Sequence, residues 1–553
     1  MGRRIKISVI LVFVSIFILV NTDSFARRVK EPVSLGGWLV GITKDVINNS
    51  SELSPRERLI ELLNKTLTHL ERHELKDLRL VRDGDYKLYY VFMVSDISAV
   101  SSTNFILNAE TGELIQQCSF EGEIPQPLSM SGYELLKSFS SGGSGAKTYL
   151  AMKRSGDADS PDRLVVVKYA DRYGVDGVGM PVLEYQAARL DYLQHVIDSE
   201  IKIMEDLTPE EVEELKNFFP EVIELSRNKG IYVYYSMPYR PGETLTEYFM
   251  KSEVSVGDFI AELNDLLTDI SISLKARDNI NLSLDEGIEH TSEWHIERIE
   301  RRLQLMQQRE GTMFEESIKD NPVAISNAKY ENITYLFEEL LASKTITVNG
   351  GEYSNIPVLI DEIKNRPDLL ETIAPAFISR LSHGDLIIRN MFKEDSGHIR
   401  LIDVKGVDPE DEALDPLYGI SKMVFGFGYD LVREGLYDLD VKRQENGSFS
   451  FDLKFDGSNP IVARYLEAIQ LAKKMVEDNP EFNQVMQSDI HWEERLAFSI
   501  TAHFIGDLAC HLEPDKSGRS SLALYAIGTV LLDDYLRHLD IDLGLIFKAD
   551  NQE

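Results

Sequence analysis

Apolar residues along this chain repeat with two different periods, which separates predicted helices from predicted strands. After Ser54-Pro55-Arg56-Glu57, which has the form of a helix capping box, apolar residues recur at helical spacing as far as Leu70. Short apolar runs then alternate with the turns R-D-G-D and N-A-E-T-G, a pattern typical of antiparallel strands. We therefore expect a small helix-and-sheet domain over residues 51–120, preceded by a linker at residues 27–50 that has no clear period.

The first 26 residues have the pattern of a targeting segment. A basic start at residues 3–6 precedes the apolar run Ile7–Val20, and Ser24-Phe25-Ala26 fits a small-x-small cleavage site. A helix over this run would span about 21 Å, less than the roughly 30 Å of a bilayer's hydrocarbon core. The pattern favours a signal peptide over residues 1–26 and export to a periplasmic, extracellular or lumenal space. The alternative is a membrane anchor through residues 7–20.

A second region begins after the prolines of residues 121–128 and carries candidate phosphate-binding residues. Before the predicted strand Thr148–Lys153 lie three glycines whose backbone amides could approach phosphate oxygens: Gly142, Gly143 and Gly145. The next predicted strand, R-L-V-V-V-K-Y-A, carries Lys168, which is placed to reach the α- and β-phosphates of a nucleotide. Glu184 follows in a predicted helix.

The stretch S-H-G-D-L-I-I-R-N-M-F contains the strongest chemical signal. His383 and Asp385 belong to an H-G-D triplet, Asn390 follows five residues after Asp385, and Asp403 ends the apolar run Ile399–Ile402. Phosphoryl transfer needs one carboxylate near the acceptor hydroxyl, and a second carboxylate with an amide oxygen on Mg²⁺. The spacing of these residues predicts such a site.

Residues 231–249 read as a buried strand that breaks at Pro238 and enters a helix after Pro241-Gly242. A segment of this kind can connect two lobes. Its backbone groups at Ser236, Met237 and Tyr239 are candidates for hydrogen bonds to adenine.

These motifs resemble the aminoglycoside phosphotransferase and choline kinase branch of the protein-kinase-like superfamily. H-G-D-L-I-I-R-N is similar to the branch's HGDxxxxN loop, and L-I-D-V-K-G to its metal-binding strand. D-P-L-Y-G-I-S-K-M is similar to its DPxxDLAK helix, except that Gly419 replaces the second aspartate. The resemblance implies a two-lobed α+β fold, with a β-rich N-lobe and hinge over residues 130–240. A helical C-lobe with an insertion would occupy residues 241–545.

The resemblance also implies ATP and Mg²⁺ as cofactors and gives each motif residue a role. Asp385 would orient the acceptor hydroxyl, and His383 would brace the loop. Asn390 and Asp403 would hold Mg²⁺, while Glu184 would fix Lys168 on the phosphates. The expected reaction transfers the γ-phosphate to a hydroxyl of a small molecule, with a protein hydroxyl as second choice. Two alternatives stay open: a non-catalytic binding or sensing protein, and nucleotidyl transfer from the same fold.

Composition limits the possible partners. The formal charge of -34 argues against a nucleic-acid partner, and the sequence does not determine the oligomeric state. The two cysteines, Cys118 and Cys510, form no metal-ligand motif and are interpreted as buried thiols rather than a disulfide. The helix and strands of residues 51–120 resemble the PepSY family, which implies an interaction or regulatory module.

Overall fold

A computed structural model of the protein describes residues 35–549, apart from the segments given at the end of this paragraph. The expected signal peptide therefore lies outside the described residues. None of the helices described is both long and apolar enough to cross a membrane. The segments without a description are 51, 68–72, 84–85, 97–101, 121–123, 140–145, 156–159, 171–182, 184, 192, 194–207, 209–217, 229–231, 276–278, 309–324, 327–332, 406–412 and 509–517.

The protein has a mixed α+β structure, with sheet toward the N-terminus and a largely helical C-terminal part, which confirms the expected class at this level. The chain divides into two compact units. The first contains residues up to Arg82 together with 86–122 and 159–162, and the second contains the remainder.

The first unit packs two helices against an antiparallel sheet in which each strand pairs with the next along the chain. Cys118 is buried in this unit, as expected, while Cys510 lies outside the described residues. The elements are α1 (Leu35–Asn49), α2 (Pro55–Leu67), β1 (His73–Arg82), β2 (Leu88–Asp96), β3 (Ser102–Asn108) and β4 (Leu114–Phe120).

Helix α1 occupies most of the segment that the sequence analysis interpreted as a linker. Leu39 and Val46 are fully buried in the same core as Leu62 of α2, so this segment belongs to the unit. Thr43 lies on the buried face, and its hydroxyl donates a hydrogen bond to the Leu39 carbonyl at 2.8 Å. The sequence did not indicate this helix because its apolar repeat is interrupted. The interruptions are the polar Thr43 at a core position and three glycines between residues 36 and 41.

The second unit begins with an antiparallel sheet in the strand order β5-β6-β7-β9-β8. Lys168 lies on its central strand, paired with Thr148 on one side and Tyr235 on the other. The described residues between 183 and 193 are helical. The elements are α3 (Gln126–Met130), β5 (Tyr133–Ser138), β6 (Lys147–Lys153), β7 (Asp162–Ala170), β8 (Glu224–Asn228) and β9 (Tyr232–Pro238).

The remainder of the second unit is mainly helical. Two small sheets support the H-G-D segment: β11 pairs with β15, and β16 pairs with β10 and β17. The helices are α4 (Leu245–Phe249), α5 (Val256–Lys275), α6 (Leu284–Thr291), α7 (Glu297–Gln308), α8 (Ile333–Ala342), α9 (Ile356–Lys364), α10 (Pro367–Ile373), α11 (Pro416–Arg433), α12 (Pro460–Asp478), α13 (Pro480–Met486), α14 (Trp492–Gly506) and α15 (Arg519–His538), with a π-turn at Ser292–Ile296 and 3₁₀ turns at Ile388–Asn390 and Leu543–Leu545. The strands are β10 (Gly242–Thr244), β11 (Asn279–Asn281), β12 (Ile325–Ser326), β13 (Thr345–Val348), β14 (Gly351–Ser354), β15 (Phe377–Ser379), β16 (Met391–Glu394), β17 (Ile399–Leu401), β18 (Asp438–Arg443) and β19 (Phe449–Lys454).

One sheet was not expected within the helical part. Its order is β12-β18-β19-β13-β14, with parallel pairing at β12–β18 and β13–β19. Buried apolar side chains alternate with more exposed polar ones along β19, as in Phe451-Asp452-Leu453. This two-residue period favours a strand with one buried face.

Candidate active site

His383 fixes the backbone of the H-G-D loop through both ring nitrogens. Its Nδ1 accepts a hydrogen bond from the Asp385 amide at 3.1 Å, so Nε2 carries the proton and donates to the Ile402 carbonyl at 3.0 Å. Burial lowers the pKa of His383 to about 4, and the ring is therefore neutral at pH 7. These contacts fit the bracing role expected of His383. Both ring nitrogens are engaged by backbone groups, so the ring is not placed to act as a general acid or base.

The two carboxylate oxygens of Asp385 are held by different partners. Asn390 Nδ2 donates to Oδ2 at 2.9 Å, and Lys422 Nζ donates to Oδ1 at 2.5 Å. Burial alone would raise the pKa of Asp385, but the ammonium groups of Lys422 and Lys405 outweigh it and hold the pKa below its usual value. Asp385 is therefore an oriented, ionised carboxylate.

Asp403 follows β17 by two residues. The Ile402 amide donates to the Asn390 carbonyl at 2.8 Å, which places Asp403 next to the end of the H-G-D loop. Asp403 has a left-handed backbone with φ 60°, and its carboxylate forms an ion pair with Lys168. Burial lowers the pKa of Lys168 to about 7, against the opposing effect of Asp385. The structure thus brings together Lys168, Asp385, Asn390 and Asp403.

Two glycines allow α11 to approach the H-G-D loop closely. Gly384 has φ 72°, and a Cβ there would lie 2.6 Å from Leu414 Cδ1. A Cβ on Gly419 would lie 3.2 Å from the Gly384 amide nitrogen. This approach is closer than most Cβ contacts, so a larger residue at position 419 would require the loop or α11 to shift by a few tenths of an ångström.

Several of the expected nucleotide-binding residues can be located and others cannot. Glu184 and the glycines Gly142, Gly143 and Gly145 lie outside the described residues. Ser236 and Met237 are buried in β9, and Tyr239 directly follows this strand.

Two backbone groups of the predicted hinge are engaged within the sheet. The Ser236 carbonyl accepts from the Ile223 amide at 2.8 Å, and the Tyr239 amide donates to the Leu164 carbonyl at 3.1 Å. An amide has one hydrogen to donate, so the Tyr239 amide is already engaged by Leu164. Binding of adenine by backbone groups at Ser236, Met237 and Tyr239 stays a prediction.

Sequence reasoning missed two residues that support the site. Lys422 lies within the D-P-L-Y-G-I-S-K-M motif, which offered a signal, yet its contact with Asp385 was not predicted. Arg189 lies on the helical segment after β7 and is 1% exposed. It donates to the carbonyls of Arg380 at 2.6 Å and Ser382 at 3.3 Å, just before the H-G-D triplet. No motif marked Arg189.

Within the described part of the chain, no group of three or more His, Cys, Asp or Glu side chains could hold a metal ion. Asn390 and Asp403 instead offer one amide and one carboxylate. No protein-family model matches the chain, and a search of the curated proteins finds no significant match. The chemistry must therefore be argued from the site, where an oriented carboxylate lies beside a lysine–aspartate pair.

Proposed function

We propose that this protein is an ATP-dependent phosphotransferase that moves the γ-phosphate to a hydroxyl of a small molecule. One observation carries the proposal: Lys168, on β7 in the antiparallel sheet of the second unit, forms an ion pair with Asp403, beside the H-G-D loop. The sequence predicted the lysine for phosphates and the aspartate for metal from separate patterns. Their contact is what a shared nucleotide site requires.

Strand order supports the kinase-like interpretation of the fold. The sheet β5-β6-β7-β9-β8 carries the lysine on its third strand and is followed by a largely helical part, in keeping with a β-rich N-lobe and a helical C-lobe. On this interpretation β9 leads into the hinge, and the predicted glycine-rich turn at residues 142–145 covers the phosphates.

Asp385 has the geometry to orient the acceptor. Asn390 and Lys422 fix its two oxygens, and its lowered pKa keeps it ionised at pH 7. An acceptor hydroxyl that donates to this carboxylate would be aligned with the γ-phosphate, and Asp385 would take its proton late in a loose transition state.

The residues present fit Mg²⁺. The amide nitrogen of Asn390 is committed to Asp385, so Oδ1 is the atom that could bind a metal, and Asp403 adds a partly exposed carboxylate. Mg²⁺ prefers such oxygen ligands. When bound, Mg²⁺ would neutralise charge on the β- and γ-phosphates. Asp403 would then release Lys168 to the α- and β-phosphates.

To test this, ATP labelled at the α- or γ-phosphate is incubated with the wild-type protein, with Asp385→Asn and with the exposed control Asp395→Asn. The products that carry the label are then identified. We expect γ-label in an acceptor or in phosphate, ADP as the other product, and a loss of about 100-fold or more in Asp385→Asn alone. Label from the α-phosphate in a product would favour nucleotidyl transfer. ATP binding without turnover in any variant would favour a sensing protein.

A further inference from the structure

The backbone just before the H-G-D triplet forms a turn that contacts a distant part of the chain. β15 ends at Ser379, whose carbonyl accepts from the Leu414 amide at 3.0 Å and from the Ser382 amide at 3.4 Å. The carbonyls of Arg380 and Ser382 accept instead from Arg189 Nη2, at 2.6 and 3.3 Å. The proposed phosphate chemistry gives Arg189 no role.

Arg189 reaches this turn from an element far away in the sequence. It lies on the helical segment after β7, the strand that carries Lys168, and 193 positions separate it from Ser382. Arg189 is almost fully buried. Removing a guanidinium from water is costly, so its burial depends on charge-assisted hydrogen bonds such as those to this turn.

The shape of a guanidinium suits the positioning of a backbone turn. Its N–H groups point in fixed directions in one plane, so hydrogen bonds to two carbonyls fix both the distance and the orientation of the turn. A lysine ammonium is a point charge on a flexible stem. Lysine at position 189 would therefore keep the charge but hold the turn less precisely.

Apolar packing does not fix the triplet fully by itself. A cavity of about 20 Å³ borders Ser382 and His383, and its described lining includes Phe219, Leu386 and Leu401. This volume would admit about one water molecule. Side chains that border a cavity make fewer contacts than those in a filled core. The hydrogen bonds from Arg189 are therefore important for the position of the triplet.

A movement of the turn would be transmitted to Asp385. The Ser382 carbonyl belongs to the peptide bond that leads into His383, and His383 Nδ1 accepts from the Asp385 amide at 3.1 Å. Asp385 must meet the acceptor hydroxyl in the orientation that transfer requires, and a displacement of about 1 Å can lower a rate about 100-fold. The contact that Arg189 makes thus bears directly on the placement of Asp385.

We infer that Arg189 is a positioning residue for γ-phosphate transfer, which holds Asp385 in a fixed place relative to the strand that carries Lys168. Arg189 acts on Asp385 through the backbone of residues 380–385. The carboxylate that would orient the acceptor and the lysine that would bind the phosphates thereby keep one relative arrangement. This inference rests on the proposed function and adds to it an arginine that no motif marked.

An arginine on α12 provides a matched control. Arg464 Nη2 donates to the carbonyls of Phe249 and Val254, at 2.5 and 2.8 Å, so it contacts a turn through the same kind of bonds. α4 and the turn after it contain none of the candidate site residues. The full chain is compared with Arg189→Met, Arg189→Lys and Arg464→Met.

Hydrogen exchange followed by mass spectrometry locates the effect of each variant. We expect Arg189→Met to raise exchange about tenfold in peptides covering residues 380–391 but not in those covering residues 249–258. Arg464→Met should show the reverse. Equal increases in both regions of Arg189→Met would indicate general loosening and overturn the inference.

Kinetics separate positioning from a purely structural role. Transfer of the γ-phosphate from saturating Mg-ATP, to an acceptor or to water, should fall about 100-fold in Arg189→Met and about tenfold in Arg189→Lys. The Kd for Mg-ATP should change by about threefold or less, and Arg464→Met should match the wild-type rate. Arg189→Lys keeps the charge and decides the question if Arg189→Met does not fold. An unchanged rate, or equal losses of rate and Mg-ATP affinity, would overturn the inference.

The wild-type protein distinguishes the two proposals. Absence of Mg-ATP binding and of γ-phosphate transfer in the wild-type chain would remove the proposed function, and the inference with it. Normal wild-type transfer together with an unchanged rate in the Arg189 variants would remove only the inference.

Discussion

Lys422 Nζ lies 2.5 Å from Oδ1 of Asp385, with the lysine side chain 5% exposed and the aspartate side chain 27% exposed. Burial would lower the pKa of Lys422 and raise that of Asp385, yet their mutual attraction outweighs burial on both sides. The pair keeps Asp385 charged and gives its carboxylate a fixed orientation. The charge and orientation of Asp385 therefore depend on a residue 37 positions away on α11.

We predict that Lys422→Met moves the acid limb of the pH–activity profile to higher pH. Without the ammonium, burial dominates and the pKa of Asp385 rises, so a larger fraction of the carboxyl is protonated and cannot accept the acceptor hydrogen. The measurement is the pH dependence of γ-phosphate transfer. The exposed control Lys474→Met should reproduce the wild-type profile, and an unshifted limb in Lys422→Met would contradict the role given to Lys422.

Lys168 should make Mg-ATP affinity depend on pH. Burial lowers its pKa to about 7, so the free protein loses the ammonium charge as pH rises through that value, and the phosphates lose a partner. The dissociation constant should rise between pH 7.5 and 9, by up to about tenfold per unit. A guanidinium stays charged over this range, so Lys168→Arg should show a flatter curve. Parallel curves for the two proteins would contradict the prediction.

Gly384→Ala should destabilise the protein and impair the site. The substitution adds a Cβ 2.6 Å from Leu414 Cδ1 in a residue with φ 72°, so overpacking is added to backbone strain. We expect a loss of about 2–4 kcal/mol in the free energy of unfolding. Gly397→Ala is the matched control, because φ is 94° and nothing lies within 4 Å of its Cβ. Its cost should be about 1 kcal/mol, and equal losses in urea titrations would argue against crowding at Gly384.

The start of α11 depends on a buried ion-pair cluster. Asp415 caps the helix by accepting from the Leu417 amide at 3.0 Å, and Arg495 pairs with both Asp415 and Asp489. Arg495→Met would leave two buried carboxylates without their partner, so we expect a loss of about 3–5 kcal/mol in the free energy of unfolding.

A surface arginine provides the comparison for this variant. Arg366 pairs with Glu362 and Asp368 at exposed positions, and Arg366→Met should cost less than about 1 kcal/mol. Chemical denaturation of both variants measures the difference. Similar losses would show that the Arg495 cluster does not stabilise α11.

The residues of the candidate site could be predicted because each stands in a short segment with its own pattern. H-G-D-L-I-I-R-N is local in sequence, and Lys168 ends an apolar run, so neither prediction needed knowledge of packing. The contacts of Lys422 and Arg189 could not be predicted in this way. Each joins elements far apart in the chain, and a charged residue on a helix is ordinarily solvated.

The fold was predicted less completely. The alternation in residues 438–454 favours strands, but the surrounding helical period dominated the interpretation. Helix α1 was missed because Thr43 occupies a core position where its hydroxyl is satisfied by the helix backbone. The predicted hinge is a third example. Its sequence does not show which backbone groups are already hydrogen-bonded, because this depends on partners in other strands, such as the Leu164 carbonyl that accepts from the Tyr239 amide.

Mg-ATP binding to residues 27–553 by calorimetry tests the central claim most directly. We expect binding by the wild-type chain and its loss in Asp403→Ala and Lys168→Ala. The exposed controls Asp395→Ala and Lys147→Ala should bind normally. No heat of binding by the wild-type chain at millimolar Mg-ATP, or equal binding in all five proteins, would contradict a nucleotide site at Lys168 and Asp403.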